Sequence, residues 1–290
     1  MSESVAVITD IHANLPALEA SLERIDKLGI TRVYCGGDLV GDGPHLNDVC
    51  ALIEERSIPT IYGSYDYAIA RDLDDCGCAY VTQHDRELGQ RSVEWTLPNT
   101  HQRAKDFMRA LPFDLPFDVG DSAVHLVHGS PRKVNEYLFE DKPARLYERL
   151  ARAERADLLV FGHTHKPWIR EHGGVLFVNC GSVGKPKDGD PRAAFAVLTP
   201  TDRDSGRRSS APTRTPPPSP ARSPPPASPR STRKARRRRL TQSRPDERRP
   251  AAQRPADAIP ALGRVAVVPY QIDLPTDQQQ WRRCQPAKRA

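Results

Sequence analysis

Five short motifs in the first 165 residues carry aspartate and histidine side chains of the kind that bind divalent metal ions. Each motif follows an apolar run rich in β-branched residues, which predicts a buried strand. The strand ends of an α/β sheet meet at one edge, so these side chains should form one site. Two cations held there would suit phosphoester hydrolysis by water. The motifs are Asp10-Ile11-His12, Gly37-Asp38, Gly63-Ser64-Tyr65-Asp66, His128-Gly129 and Gly162-His163-Thr164-His165.

The spacing of these side chains suggests how two cations would share them. Asp38, flanked by Gly37 and Gly41, fits a carboxylate that bridges two ions about 3.5 to 4 Å apart. Asp10 and His12 lie two residues apart on one turn and can reach the same ion, whereas His163 and His165 can serve different ions. Nitrogen and oxygen ligands favour Mn²⁺, with Fe, Zn²⁺ or Ni²⁺ as alternatives, and argue against Ca²⁺ or Mg²⁺ alone.

The elements that must position the motifs alternate between strands and helices. Residues 5–9 predict a strand and Asn14 can cap the helix after it, which ends near Gly29 before a strand at residues 32–35. A right-handed crossover between these strands places Asp38 beside Asp10. Further strands are predicted at residues 60–62, 124–127, 158–161, 168–170, 175–178 and 193–198, and helices at residues 46–56, 86–110 and 143–153.

Charge divides the chain into two unlike parts. Residues 1–200 carry 22 Lys or Arg and 30 Asp or Glu, a formal charge of −8, whereas residues 201–290 carry 21 and 7, a formal charge of +14. Residues 201–262 contain no aromatic side chain and are dominated by Pro, Ser, Arg and Ala, which predicts a disordered insertion. Its basic run at residues 233–239 would contact polyanions without sequence preference.

Residues 263–275 predict a strand that returns to pair with residues 193–198, and residues 276–290 predict a frayed tail. On this view residues 1–200 form the folded domain, and the insertion lies within a terminal hairpin. Loop-closure entropy grows only logarithmically with length, so such an insertion costs little stability.

No apolar run reaches the length of a membrane span, and the first residues lack the basic start of a signal peptide, so we expect a cytoplasmic protein. The six cysteines form no framework of spacings, which fits reduced thiols. Cys76-Gly77-Cys78 contains the only close pair, and loop thiols are favoured over a metal or redox pair because no second pair completes a site.

The order of the motifs resembles the calcineurin-like metallophosphoesterase superfamily, and specifically its small single-domain phosphodiesterase branch from bacteria and archaea. The resemblance extends over residues 5–198 and includes the glycine-rich stretches at residues 36–44 and 179–184. It implies an α/β fold with four layers, an αββα sandwich of two mixed sheets flanked by helices. It also implies a phosphodiesterase in which a metal-bridging hydroxide attacks phosphorus in line.

The resemblance further implies a ligand set and a substrate class. Asp10, His12, Asp38 and His165 would hold the first metal, while Asp38, Ser64, His128 and His163 would hold the second. Asp38, His128 and His163 would be the catalytic residues. The expected partner is a phosphoester small molecule or nucleotide, and the oligomeric state is left open.

Two positions depart from the family pattern. Ser64 replaces an asparagine whose amide oxygen binds the second metal, and Tyr65 stands where larger relatives have a histidine that assists the leaving group. A serine hydroxyl is a shorter and weaker ligand. An alternative is therefore a catalytically weakened, metal-bearing module that binds a phosphorylated ligand. A third hypothesis is a nucleic-acid-binding protein that works through residues 233–239.

Overall fold

The computed structural model describes residues 3–79, 82–200 and 265–270, the last range by its backbone alone. The elements in chain order are β1 (Val5–Ile8), α1 (Leu15–Lys27), β2 (Arg32–Cys35), α2 (Leu46–Glu55), α3 (Ser64–Ala70), α4 (Gln83–Asn99), α5 (Gln102–Ala110), β3 (Asp114–Val119), β4 (Ser122–Val127), α6 (Ala144–Ala153), β5 (Leu158–Phe161), β6 (Trp168–His172), β7 (Val175–Asn179), β8 (Ala193–Leu198) and β9 (Val265–Tyr270).

The first sheet has four strands in the order β2-β1-β8-β9. β1 and β2 are parallel, as the predicted crossover requires, and α1 connects them. The side chain of Asn14 caps α1 by accepting a hydrogen bond from the amide of Ala17. β9 pairs antiparallel with β8, from Ala193 opposite Tyr270 to Leu198 opposite Val265. β9 lies within residues 263–275, where a returning strand was predicted.

The second sheet has five strands in the order β3-β4-β5-β7-β6. β4, β5 and β7 are parallel, and antiparallel strands flank them on both edges. The carboxyl ends of β4 and β5 therefore point in one direction. His128 follows β4 directly, and His163 follows β5 by one glycine.

Alternating side chains show how the layers stack. Val5 and Val7 of β1 pack with Val124 and Leu126 of β4 in an apolar core between the two sheets. Ala6 and Ile8 face the opposite way, into a core formed largely with the helices from α1 to α5. On the far side of the second sheet a third core contains Leu159 and Phe161 of β5 and Tyr147, Leu150 and Ala151 of α6. The layers run helix, sheet, sheet, helix, which confirms the predicted αββα sandwich.

Three local features differ from the sequence predictions. Residues 60–62 are not a strand, because Thr60 makes a single parallel bridge to Cys35 and the amide of Tyr62 then donates to the carbonyl of Pro112. α3 and β3 were not predicted at all. The predicted insertion at residues 201–262 and the tail at residues 276–290 lie outside the described residues. Within the described part of the chain, every helix is too short or too polar to span a membrane.

Candidate metal centre

Two loops that follow neighbouring strands form the floor of the candidate site. The loop after β1 donates its amides to the carbonyls of the loop after β2, in four hydrogen bonds of 2.8 to 2.9 Å. The donors are Asp10, Ile11, His12 and Ala13, and the acceptors are Gly37, Asp38 and Leu39. These bonds fix Asp10 and His12 relative to Asp38 through the backbone alone.

The backbone of the site adopts conformations that side chains rarely permit. Five of the seven predicted ligands have φ between 48° and 64°, in the left-handed region. Residues with a Cβ are uncommon there, and such outliers are often found at functional sites. The five are Asp10, His12, Asp38, His163 and His165. These backbone conformations accompany the grouping of the five side chains in one site.

The first cluster contains Asp10, His12 and His165. Nε2 of His12 lies 3.1 Å from Nε2 of His165, and Nε2 of His165 lies 3.2 Å from Oδ1 of Asp10. Donor atoms bound to one ion at about 2.0 to 2.2 Å are separated by roughly 3 to 3.6 Å. Oδ1 of Asp10 is buried and has no hydrogen-bond partner within the described structure. Both observations fit a cation between these three side chains.

The second cluster contains Asp38, His128 and His163. Nε2 of His128 lies 3.1 Å from Nδ1 of His163 and 3.3 Å from Oδ2 of Asp38. The same Oδ2 atom lies 3.7 Å from Nε2 of His12 in the first cluster. A single carboxylate oxygen of Asp38 therefore faces both clusters, as a bridging ligand must. All seven predicted ligands are at most 3 % exposed.

Hydrogen bonds to backbone orient two of the imidazole rings. Nδ1 of His128 lies 2.8 Å from the carbonyl of Gly36, and Nδ1 of His165 lies 2.6 Å from the carbonyl of Lys185. A carbonyl accepts only, so each Nδ1 carries the proton and each Nε2 is left for a metal. Oδ2 of Asp10 accepts hydrogen bonds from the amide of His163 and the hydroxyl of Thr9, which leaves Oδ1 to face the first cluster.

Burial and neighbouring charges shift the pKa values of three histidines in the centre. Burial, and then repulsion from His165, lower the pKa of His12 to about 4. Burial and His128 likewise lower the pKa of His163 to about 3, so both rings are neutral at pH 7. Burial opposes the charge on His128, but the carboxylate of Asp38 outweighs it and raises the pKa of His128 to about 10. A cation that bound to Nε2 of His128 would displace a proton from this ring.

Glycines are required where the loops approach each other. A Cβ added to Gly63 would lie 2.2 Å from Oδ1 of Asp38, and one added to Gly162 would lie 2.2 Å from Oδ2 of Asp10. Neither carboxylate can move away without leaving its cluster. The glycines of these two motifs therefore make room for the ligands.

The motif Gly63-Ser64-Tyr65-Asp66 was expected to supply a metal ligand through Ser64, and its other residues also contact the site. The hydroxyl of Ser64 lies 3.4 Å from Oδ2 of Asp38, at the edge of the second cluster. The ring of Tyr65 is buried and packs edge-on against His12, at 5.5 Å between ring centroids. Asp66 joins the loops, because its carboxylate accepts from the amides of Leu39, Val40 and Gly63 at 2.9 to 3.3 Å. Asp66 is a structural crosslink beside the site.

Several residues that contact the predicted ligands were not identified from the sequence. Oδ2 of Asp42 lies 3.4 Å from Nδ1 of His12 and 2.7 Å from Nζ of Lys185. Asp42 itself has a φ of 61°, so its backbone resembles that of the ligands. The only sequence signal was its position between two glycines, four residues after Asp38. Cys78 was also missed as a neighbour of the site, since its Sγ lies 3.5 Å from the Ser64 hydroxyl.

Comparison with known proteins agrees with this arrangement. The family model described as the calcineurin-like phosphoesterase superfamily domain matches residues 4–203, more than half of the chain. The chain belongs to this superfamily. It is a metal-dependent hydrolase of phosphoric esters.

The relatives include proteins of bacteria and archaea. The chain is 29 % identical over 215 residues to the uncharacterized protein MJ0912 of Methanocaldococcus jannaschii, covering 68 % of this chain and 83 % of that one. It is 25 % identical over 193 residues to the phosphodiesterase YfcE of Escherichia coli, covering 66 % and 84 %. A solved metallophosphoesterase from Sphaerobacter thermophilus superposes with a TM-score of 0.54 at 27 % identity, covering 68 % and 84 %.

Proposed function

We propose that the protein is a phosphodiesterase that uses two metal ions. The observation that carries this proposal is the position of Oδ2 of Asp38, which lies 3.7 Å from His12 and 3.3 Å from His128. One carboxylate oxygen facing two three-residue clusters suits a pair of cations held close together. When bound, the two cations would supply a hydroxide nucleophile for in-line attack and would neutralise charge on the phosphoryl oxygens.

The proposed ligand sets follow the two clusters. Asp10, His12, Asp38 and His165 would hold the first ion, and Asp38, Ser64, His128 and His163 the second. Asp38, His128 and His163 would be catalytic, because Asp38 faces both clusters and the two histidines complete the second one. Both sets contain only nitrogen and oxygen donors, for which we propose two Mn²⁺ ions, with Fe, Zn²⁺ or Ni²⁺ as alternatives.

The substrate class follows from what surrounds the ions. Tyr65 places a phenol ring, rather than an imidazole, against His12, so no histidine at this position can protonate the leaving group. Diesters with good leaving groups, including nucleotide esters, are therefore favoured. Nζ of Lys185 pairs with Asp42 at the side of the first cluster, with a third of its side chain exposed. It adds positive charge where a phosphoester approaches.

The test of this proposal is a metal titration of stripped protein. Hydrolysis of bis-p-nitrophenyl phosphate should be absent after chelation and should return with Mn²⁺ until two ions are bound per chain. A panel of cyclic nucleotides, nucleotide polyphosphates and phosphopeptides should then rank the substrates. Full diesterase activity in protein shown to be free of metal would contradict the proposal.

One observation favours the alternative of a binding module with weak turnover. The hydroxyl of Ser64 faces Oδ2 of Asp38 at 3.4 Å, and its short side chain is a poor ligand for a cation. On this alternative, calorimetry with saturating Mn²⁺ should show tight binding of a phosphorylated compound that the protein does not hydrolyse. Rapid release of p-nitrophenol under the same conditions would remove it.

The remaining parts of the proposal concern location and partners. The five cysteines within the described ranges are free thiols, which fits a reducing compartment and the proposed cytoplasmic location. The basic run at residues 233–239 is proposed to contact polyanions without sequence preference.

A further inference from the structure

The thiols of Cys76 and Cys78 lie beside the second cluster, although neither cysteine belongs to any of the five motifs. Sγ of Cys78 lies 3.5 Å from the hydroxyl of Ser64, which in turn lies 3.4 Å from Oδ2 of Asp38. The ring of Tyr137 packs against that of His163 at a tilt of 39°, with 4.0 Å between centroids. Burial raises the pKa of Tyr137, and the Cys78 thiol and the Asp38 carboxylate raise it further. Cys78 is therefore partly buried and lies next to residues of the second cluster.

The second cluster offers three strong donors, one fewer than a closed site with four protein ligands. Within the described residues, this cluster consists of one carboxylate and two imidazoles. The fourth predicted ligand is Ser64, whose hydroxyl lies beside the carboxylate. Nε2 of His163 is buried and has no hydrogen-bond partner in the described structure, although the residue is only 3 % exposed. A tetrahedral zinc site takes four protein ligands, or three and a water. An additional donor at this edge would complete the set.

The loop that carries Cys78 is held in place by specific contacts. The carbonyl of Gly77 accepts a 2.6 Å hydrogen bond from the side chain of Asn135, and Gly77 has a φ of 67°. Sγ of Cys76 and Sγ of Cys78 lie close together, 2.6 Å apart, and Cys76 is 6 % exposed. The loop therefore presents one buried thiol and, next to it, one thiol directed toward Ser64. These contacts distinguish the pair from solvent-exposed loop thiols.

We propose that Cys78 is a ligand of the second metal ion, supplying a thiolate where Ser64 supplies only a hydroxyl. This inference rests on the proposed two-metal function. Binding breaks the S–H bond of Cys78, forms a sulfur–metal bond and releases the proton to solvent, with no change of oxidation state. Cys78 is not part of the group formed by Asp38, His128 and His163, so its side chain would have to rotate toward Asp38 on binding.

A thiolate would make the two sites chemically unequal. The first site keeps the nitrogen and oxygen set that suits Mn²⁺, whereas one sulfur donor shifts the second site toward Zn²⁺ or Fe²⁺. The protein would then bind two different metals, one in each site. The Cys76-Gly77-Cys78 pair would have a function that its sequence alone did not indicate.

Cobalt substitution provides a direct test, because a cysteine thiolate bound to Co²⁺ produces an intense near-ultraviolet charge-transfer band that nitrogen and oxygen ligands lack. The stripped full-length protein is titrated with Co²⁺ while absorbance and bound metal are measured. We expect the band to appear as the second ion binds, to vanish in Cys78→Ser and to persist in Cys76→Ser. The matched control is Cys50→Ala, which removes a thiol buried in α2. Cys78→Ser should also weaken Zn²⁺ binding at the second site by roughly tenfold or more.

A second measurement uses the wild-type chain and so does not depend on the folding of variants. Zn²⁺ or Co²⁺ should protect Cys78 from alkylation, as read by mass spectrometry, while Cys284 serves as an internal reference thiol. Two bound Co²⁺ ions with no charge-transfer band, or a band that survives in Cys78→Ser, would overturn the thiolate ligand and leave the two-metal function intact. Failure to bind two ions at all would overturn both proposals.

Discussion

The amide of Tyr65 donates a 2.8 Å hydrogen bond to Oδ1 of Asp38. This bond occupies one oxygen of the carboxylate and directs the other, Oδ2, toward both clusters. The donor belongs to the first turn of α3, so the start of a helix sets the orientation of the proposed bridging ligand. Burial raises the pKa of Asp38, but His128 and then His12 outweigh it and lower this pKa to about 2. The carboxylate is therefore charged at any pH at which the enzyme would work.

Replacing Asp38 with Asn should remove metal and activity together. The amide of Tyr65 would keep the carbonyl oxygen of the new side chain at the Oδ1 position, which places the NH₂ group against the cations. We expect turnover to fall roughly a hundredfold or more, with a parallel loss of bound metal. Diester hydrolysis and metal content are measured side by side. Asp121→Asn, at an exposed turn, is the matched control, and near-normal activity of Asp38→Asn would show that the bridging assignment is wrong.

Replacing Ser64 with Asn should strengthen the second site. An amide oxygen reaches further than a hydroxyl and is a better ligand, so the metal requirement should fall first and turnover at saturating metal should then rise. Ser64→Ala should change little if the hydroxyl is already a poor ligand. Titration of all three proteins with Mn²⁺, with metal stoichiometry and diester hydrolysis as readouts, tests this. Unchanged affinity and rate in Ser64→Asn would place residue 64 outside the coordination sphere.

Deleting residues 201–262 should leave the fold and the activity largely intact. β9 pairs with β8 along six residues, and a short glycine-containing turn can connect them in place of the deleted segment. Retention on a polyanionic resin should decrease and become less sensitive to salt. Circular dichroism, thermal denaturation and diester hydrolysis provide the comparison with the full chain. Loss of folding or activity in a deletion variant that retains β9 would contradict the linker interpretation.

Stability should depend on pH through His125. Its Nδ1 lies 2.9 Å from Glu154 and its Nε2 lies 3.0 Å from Asp114, and the hydrogen bond to Glu154 contributes most to raising the pKa of His125. A raised histidine pKa stabilises the fold fully below the unfolded value of about 6.5, and this contribution is lost as pH rises through the folded value.

We therefore expect His125→Gln to lower the free energy of unfolding by roughly 1 kcal/mol at about pH 6, and by less at about pH 9. Urea denaturation of metal-stripped protein at both pH values measures this difference. His101→Gln, at an exposed position, should have no comparable effect. An equal loss at the two pH values would show that His125 contributes by packing alone.

Much of the centre was predictable because its residues follow strands directly. Asp10, Asp38, His128, His163 and His165 each lie within a few residues of a strand end, and the sheet order brings these ends together. β1 and β5 are buried at every residue, and the short apolar runs of all these strands were sufficient to indicate them. Their roles as ligands remain proposals, although the structure groups them as expected.

The features that sequence reasoning missed depend on long-range contacts. β3 contains Pro116 and lies at the edge of its sheet, where a missing amide is tolerated, so its sequence did not indicate a strand. The run at residues 60–62 has strand-like composition, yet Thr60 makes only one bridge to Cys35. The approach of Cys78 to Ser64 joins two loops whose residues have no pattern in common.

The left-handed backbone conformation at five proposed ligands lowers the stability of the fold in favour of function. Each such conformation costs of order 1 kcal/mol for a residue that carries a Cβ, and glycine would adopt it without that cost. If variants were selected for thermal stability alone, glycine should become more frequent at positions such as His12 and His165. Those variants should have lost hydrolytic activity. At these two positions the histidine side chains are therefore present at a cost to the stability of the fold.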